Sequence, residues 1–414
     1  MTTDSDSSTP TSPRSHTGRA RRGWLASAAH RALGGLGAKL GSGWVLILAA
    51  LAVFAPFIAN SKPYLLVKDG EWSSPLINHL TAADVVLLTA FVSWVVLLLI
   101  RRLSWARRCL IFAGILFISI GVCGATVKPP SPVVPEKERQ MLAAGEASYA
   151  LWAPIPYSPG DHQFDNDALR PPSAPLAIEE KQSEAYVAAP HWLGTDRYGR
   201  DVLSRLIHAS RVALAVGFIA ESISLVLGVI IGAIMGYFAG LVDLLGLRLV
   251  EVFTAIPRLF LLLAVVAAFE RNIFLIMTIV GATGWPAYAY FVRAEFLRLR
   301  NQDFVQAAIA ADTPLHSILF RHMLPNGMAP VLVQVGFGVA EAILYESVLS
   351  FLGLGVVDQA SWGELLDQAV SKGGGFYWWI ASFPGLAIFF TVFAFNLVGE
   401  SMRDAIDPHT GEGH

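Results

Sequence analysis

The chain has 414 residues, of which 54% are hydrophobic and 15% charged, with a mean hydropathy of +0.53 and a formal charge of -2. Ordinary soluble domains carry about 25% charged residues, and 30 basic residues against 32 acidic ones leave no basic surplus for nucleic acid. A soluble domain, a disordered chain and a fibrous chain are excluded, which leaves a polytopic membrane protein, expected to be all-α.

The first 43 residues are rich in Ser, Thr, Arg and Gly without an apolar period, and are expected to form a flexible tail. No signal-peptide core precedes Trp44, so the first apolar run is expected to stay as an anchor. A helix needs roughly 20 residues to cross a bilayer. The apolar runs then predict eight spans, near 44–60, 83–100, 109–127, 210–237, 253–270, 272–292, 328–350 and 378–400. Pro56 blurs the end of the first, and Pro257 and Arg258 move the apolar centre of the fifth to Leu259 and beyond. Cys109 and Cys123 share one run; on a helix they lie roughly 21 Å apart, out of disulfide reach, and are read as packing residues.

Arg and Lys in short connections set orientation. Arg14, Arg19, Arg21, Arg22, Arg31 and Lys39 precede the first span, Arg101, Arg102, Arg107 and Arg108 follow the second, and Arg293, Arg298, Arg300 and Arg321 lie in 293–327. Eight crossings place all three groups, and both termini, in the cytoplasm. The division predicted is a tail at 1–43, a first span plus hairpin at 44–127, an extracytoplasmic segment at 128–209, a core at 210–400 holding the loop 293–327, and a tail at 401–414. The outer segment is dense in proline, which forbids long helices and central strands. It reads as an irregular cap anchored by Trp152 and Tyr157, with a disordered linker as the alternative.

Within the basic loop, residues 303–311 favour a short helix, because Ala307, Ala308, Ala310 and Ala311 have high helix propensity and leave a smooth surface. Asp312 and Thr313 suit an N-cap and Pro314 the first position of a second helix. That helix would present Leu315, Ile318 and Leu319 on one face until Pro325 stops it. Two short helices between spans form a bracket for another protein; an interfacial helix lying on lipid is the plainer reading.

This bracket resembles the EAA loop of the inner-membrane permease subunits of ABC importers, specifically the C-type subunit of the dipeptide/oligopeptide class. The matching residues are Gln306-Ala307-Ala308, Asp312 where the pattern has Gly, Ile318, and Leu324-Pro325. Gln for Glu removes a charge, and Asp for Gly is expected to forfeit a flexible turn. His191-Trp-Leu-Gly-Thr-Asp-Arg-Tyr-Gly-Arg-Asp201, Leu349-Ser-Phe-Leu-Gly-Leu-Gly355 with Ser361-Trp-Gly363, and Phe383-Pro-Gly-Leu-Ala387 with Arg403-Asp-Ala-Ile-Asp-Pro408 are similar to further segments of that family, in its order. The segments 58–63, 69–72 and 151–154 resemble the Yej-type peptide permease branch more loosely.

The resemblance implies a six-helix permease core, here carrying one additional transmembrane hairpin at 83–127 that preserves the sidedness. It further implies a second homologous permease, two cytoplasmic ATPase subunits and an extracytoplasmic solute-binding protein, in a bacterial inner membrane. Peptides are the expected cargo, with nickel, glutathione or other small solutes left open. ATPase coupling would fall to Gln306, Ala307, Ala308, Asp312, Ile318, Leu324 and Pro325. No phosphate-cradling Gly-rich motif ending in Lys occurs, and no cofactor, metal or catalytic residue is expected.

Gly228, Gly232, Gly236 and Gly240 recur every four residues, a row that lets another helix approach closely. Glu221, Glu341 and Glu346 sit in apolar spans, where a charge is costly unless it meets a cavity or a partner. Glu346 is the candidate for the translocation path, against a structural hydrogen-bonding role. His191, Asp196 and Asp201 are spaced unlike a zinc site, and suit turns and a helix cap instead. A secondary transporter is the competing function, but no repeat relates the halves. A membrane enzyme lacks a reactive constellation and a channel lacks a filter.

Overall fold

The computed structural model describes residues 35–100, 103–127, 137–161, 168–174, 190–269, 271–356, 359–370 and 375–406. Of the predicted tails, residues 36–43 and 401–406 are helical, and 1–34 and 407–414 lie outside the described residues.

Helix α1, Leu36–Ile58, begins eight residues before Trp44. Pro56 lies inside it and has no amide hydrogen. The carbonyl of Ala52, four residues earlier, therefore lacks its helical donor, and Arg211 Nε supplies one at 2.6 Å. The same guanidinium pairs with Asp84 of the added hairpin, α2 (Ala82–Leu99) and α3 (Trp105–Thr126). Asp84 in turn closes a capping box with Thr81 at the start of α2. One arginine thus fastens the kinked first span and the hairpin to the core. Both hairpin helices are otherwise mostly uncovered, and Cys109 is exposed while Cys123 is buried.

The cap gathers residues from both sides of the hairpin. Strands β1 (Leu65–Lys68), β2 (Glu71–Ser73) and β3 (Ala147–Leu151) form an antiparallel sheet in the order β2-β1-β3. Alternation there is too short to read from composition. Helix α4, Lys137–Ala143, lies beside β3. Lys62 and Glu138 pair at 2.6 Å within the cap, and Arg139 lies over the rings of Trp152 and Tyr157. Tyr157 is buried, as its expected anchoring role requires.

The core follows. Helix α5, Val202–Phe238, runs unbroken from its N-cap Asp201 at the cap through the fourth predicted span. It runs parallel to α8, Ile273–Leu299, and the two make backbone contact. A Cβ at Gly232 would come within 2.6 Å of the Ala289 carbonyl oxygen, and Gly228 and Gly236 face Trp285 and Arg293 in the same way. Gly240 is a correction: it lies past the end of α5, at φ +56°, with open space around it. The row packs α5 on α8 of the same chain.

The fifth predicted span, 253–270, holds α7 (Arg258–Ala267) and only the end of α6 (Gly240–Ala255), a helix the apolar runs did not mark, and the two are bent by 77°. Proline excludes the residue before it from helical geometry, and Ile256 and Pro257 are both extended, at ψ 123° and 121°. At ten residues, roughly 15 Å, α7 is too short to cross alone. Among the described residues seven helices are long and apolar enough to span, or eight with the bent pair.

Helix α9, Asp303–Ala310, leads into α10, Leu315–Leu354. Pro325 does not stop α10. A π stretch at Ile318–Met323 widens the turn before it, and Leu324 bonds back to the Leu319 carbonyl, so the proline ring meets no clash. Helices α11, Trp362–Gln368, and α12, Trp378–Ile406, complete the fold, with α12 against α1 and α10.

Candidate functional site

Three places hold residues that the sequence singles out, and they sit at different depths. The loop between α8 and α10 lies at the end opposite the cap, because α5 and α8 run parallel from the cap to the loop.

In that loop α9 ends in a Schellman arrangement. The Thr313 amide donates to the Ala308 carbonyl at 3.1 Å and the Asp312 amide to the Ile309 carbonyl at 3.0 Å. Asp312 takes the left-handed conformation, φ +52°, that this motif gives to glycine. The turn is kept rather than forfeited, since aspartate tolerates this region better than most side chains. Asp312 is therefore not an N-cap, and the N-cap of the next helical turn is Pro314.

Val305, Ile318, Leu319 and Met323 are buried together with Phe296 and Leu299 of α8. Ile318 and Leu319 thus hold the loop to the core, while Leu315, expected on the same face, is exposed. The outward surface consists of Phe304, Ala307, Ile309, Leu315 and Phe320. Ala308 is half-buried against the core and Ala307 is exposed. Gln306 is exposed and its amide donates to the Arg300 carbonyl at 2.8 Å, capping the end of α8. A glutamate there would have no hydrogen to give. Leu324 is half-buried and Pro325 exposed; Pro325, His316, Phe320 and Arg321 line an open concavity of about 500 Å³.

The three intramembrane glutamates differ sharply. Glu346, expected on the path, is 3% exposed, and its carboxylate accepts hydrogen bonds from Ser350 at 2.7 Å and Ser361 at 2.8 Å. It ties α10 to the start of α11 and faces no opening. Glu221 is also buried and accepts from the Tyr288 hydroxyl. Glu341 is half exposed and pairs with Arg258. The sequence reading gave Arg258 no role, although a lone arginine in an apolar run beside a proline is the signal that marks it.

At the cap end, Asp201 caps α5 by accepting from the Ser204 amide at 2.7 Å and hydrogen-bonds His191 at 2.8 Å. Asp196 is fully buried and accepts from the Arg200 side chain at 2.8 Å. Arg200 and Arg205 both reach Glu364 of α11. Gly194 and Gly199 take positive φ, as the turns require. This network locks α5 to α11, and Trp192 and Tyr198 stand exposed on it. Burial pushes the Asp161 carboxyl, nearby in the cap, above the ordinary carboxylate range. Among the described residues no group of three or more His, Cys, Asp or Glu side chains is placed to hold a metal ion.

A long helical bundle with a broken span carries an exposed helical bracket at one end and a cap at the other, the architecture expected of a membrane permease subunit. The family described as "binding-protein-dependent transport system inner membrane component" matches residues 228–412. The oligopeptide transport system permease protein OppC of Haemophilus influenzae is 38% identical over 240 residues, 56% of this chain and 77% of its own. The inner membrane ABC transporter permease protein YejE of Escherichia coli is 31% identical over 369 residues, 88% of this chain and 92% of its own. The di/tripeptide transport system permease protein DppC of Pseudomonas aeruginosa is 37% identical over 265 residues, 63% and 83% of the two chains. The chain belongs to this family of binding-protein-dependent permease subunits and is a multi-pass inner-membrane protein. The length of the match to YejE means that part of the elaborated first half is shared with that relative.

Proposed function

We propose that the chain is one of two permease subunits of an ATP-driven importer for short peptides, with the 293–327 loop and both termini in the cytoplasm. The relatives named for peptides support the cargo, and the Arg-rich connections support the orientation. The single observation that carries the coupling role is the construction of α9. Val305 and Ala308 seat it on the core while Phe304 and Ala307 stay uncovered. An exposed apolar shelf on a rigid base suits a protein partner that moves it as a body. One of the two cytoplasmic ATPase subunits would grip the shelf, and a solute-binding protein would dock on the cap, where Trp192 and Tyr198 are exposed. The residues of this chain carry no chemistry themselves; they open and close a path.

Affinity purification of the tagged chain from its own membrane tests this. A homologous permease and ATPase subunits should copurify, and vesicles containing the complex should take up a labelled dipeptide only with ATP and the binding protein. Recovery of the chain alone, with uptake driven by an ion gradient, would establish a secondary transporter instead.

A further inference from the structure

The bent pair α6–α7 and the middle of α10 meet at Arg258 and Glu341, whose charged groups are 3.1 Å apart. Arg258 also donates to the Val280 carbonyl at 2.8 Å and lies 4.6 Å from the ring centroid of Tyr345. Val280 is seven residues into α8, roughly 10 Å from the helix end nearer the cap. That depth is within the apolar layer. The side chains are nevertheless 22% and 48% exposed, and an ionised pair open to lipid is costly. A second feature converges on the same place. Ile256 and Pro257, immediately before Arg258, are extended, and Ile256 is 47% exposed. Non-helical backbone at membrane depth persists only where protein buries it or water reaches it.

We infer that Arg258 and Glu341 line the aqueous translocation path and form the station at which a zwitterionic solute, a short peptide with free ends, exchanges its charges with the protein. The inference rests on the permease reading and names residues and a solute chemistry for it. An ammonium can replace Arg258 beside Glu341 while a carboxylate replaces Glu341 beside Arg258, so no charge is left unpaired in a poorly hydrated site. A solute with a single charge would strand one member of the pair. Tyr345 holds the guanidinium in place through the exchange. Glu346, already satisfied by Ser350 and Ser361, offers no such station, and Glu221, whose carboxylate accepts from Tyr288, lies within electrostatic range of the pair without being part of it.

The test uses the assembled transporter in membranes, with Cys109 and Cys123 replaced by Ser. Glu341→Cys should react with a membrane-impermeant thiol reagent at least tenfold faster than Glu346→Cys, and dialanine with the binding protein present should slow that reaction. Glu341→Gln, which keeps the side-chain volume, should cut dialanine uptake at least tenfold while subunit amount and ATPase copurification stay unchanged. If the thiol introduced by Glu341→Cys reacts in the isolated subunit but is shielded in the assembly, the pair belongs to the contact with the second permease and the inference is overturned. Unslowed labelling with dialanine overturns the zwitterion assignment. Thiol access does not depend on the cargo, so a wild-type complex that fails to take up dipeptide counts against the peptide reading separately.

Discussion

Asp312 shows how a single residue can depart from a sequence pattern and keep its geometry. The Schellman turn needs a left-handed residue, and aspartate meets that need at a conformational cost glycine avoids. Asp312→Gly should therefore stabilise the subunit by less than the roughly 1–2 kcal/mol that the left-handed conformation costs an ordinary residue, measured by thermal unfolding in detergent, whereas Asp312→Val should destabilise it. Equal stability of all three would contradict the strained-turn account. Side-chain identity was legible here and backbone conformation was not, because Asp is common both at N-caps and in left-handed turns. The same limit applies to the glutamates. Hydropathy marks Glu221, Glu341 and Glu346 alike as costly, and only the fold reveals which already have hydroxyl partners.

At the scale of elements, apolar length located the spans, but the breaks and joins between helices were set by tertiary contacts. The Pro257 break was visible as a proline; its 77° bend, and the contacts of Arg258 with α8 and α10 beside it, were not. Pro325 looked like a stop and is absorbed by a π turn. The glycine row was legible from its period, while its partner was not: it serves the α5–α8 contact inside the chain. Gly232→Leu should therefore destabilise the isolated subunit by about 3 kcal/mol or more, because backbone faces backbone and cannot yield. Leu227→Ala, on the half-buried flank of α5, should cost less. Thermal unfolding of the subunit without its partners separates this from an assembly defect, since a loss seen only in the complex would place the row at an intersubunit contact.

For the whole molecule, the path from sequence to function runs through two ends and the rod between them. The cap fixes α5 to α11 through Asp196, Arg205 and Glu364, and the opposite end offers the α9 shelf. The bundle of α5, α8 and α10 connects them with close packing, the route by which the proposed coupling would carry a displacement of the shelf. The class of protein was legible because ordered motifs spread over 190–408 constrain it jointly. The cap's sheet was not, since its strands are three to five residues long and separated by the hairpin in sequence. The most direct test of the coupling claim is ATP hydrolysis by the reconstituted complex carrying Ala307→Asp. This residue is exposed and leaves the buried anchor of Val305 and Ile318 intact, so folding should be preserved. The charge would be desolvated in the ATPase contact. We predict that binding-protein-stimulated hydrolysis falls to its basal rate, with normal amounts of the subunit in the membrane. Stimulation equal to that of the unmutated complex, with ATPase association and dipeptide uptake also unchanged, would contradict the account.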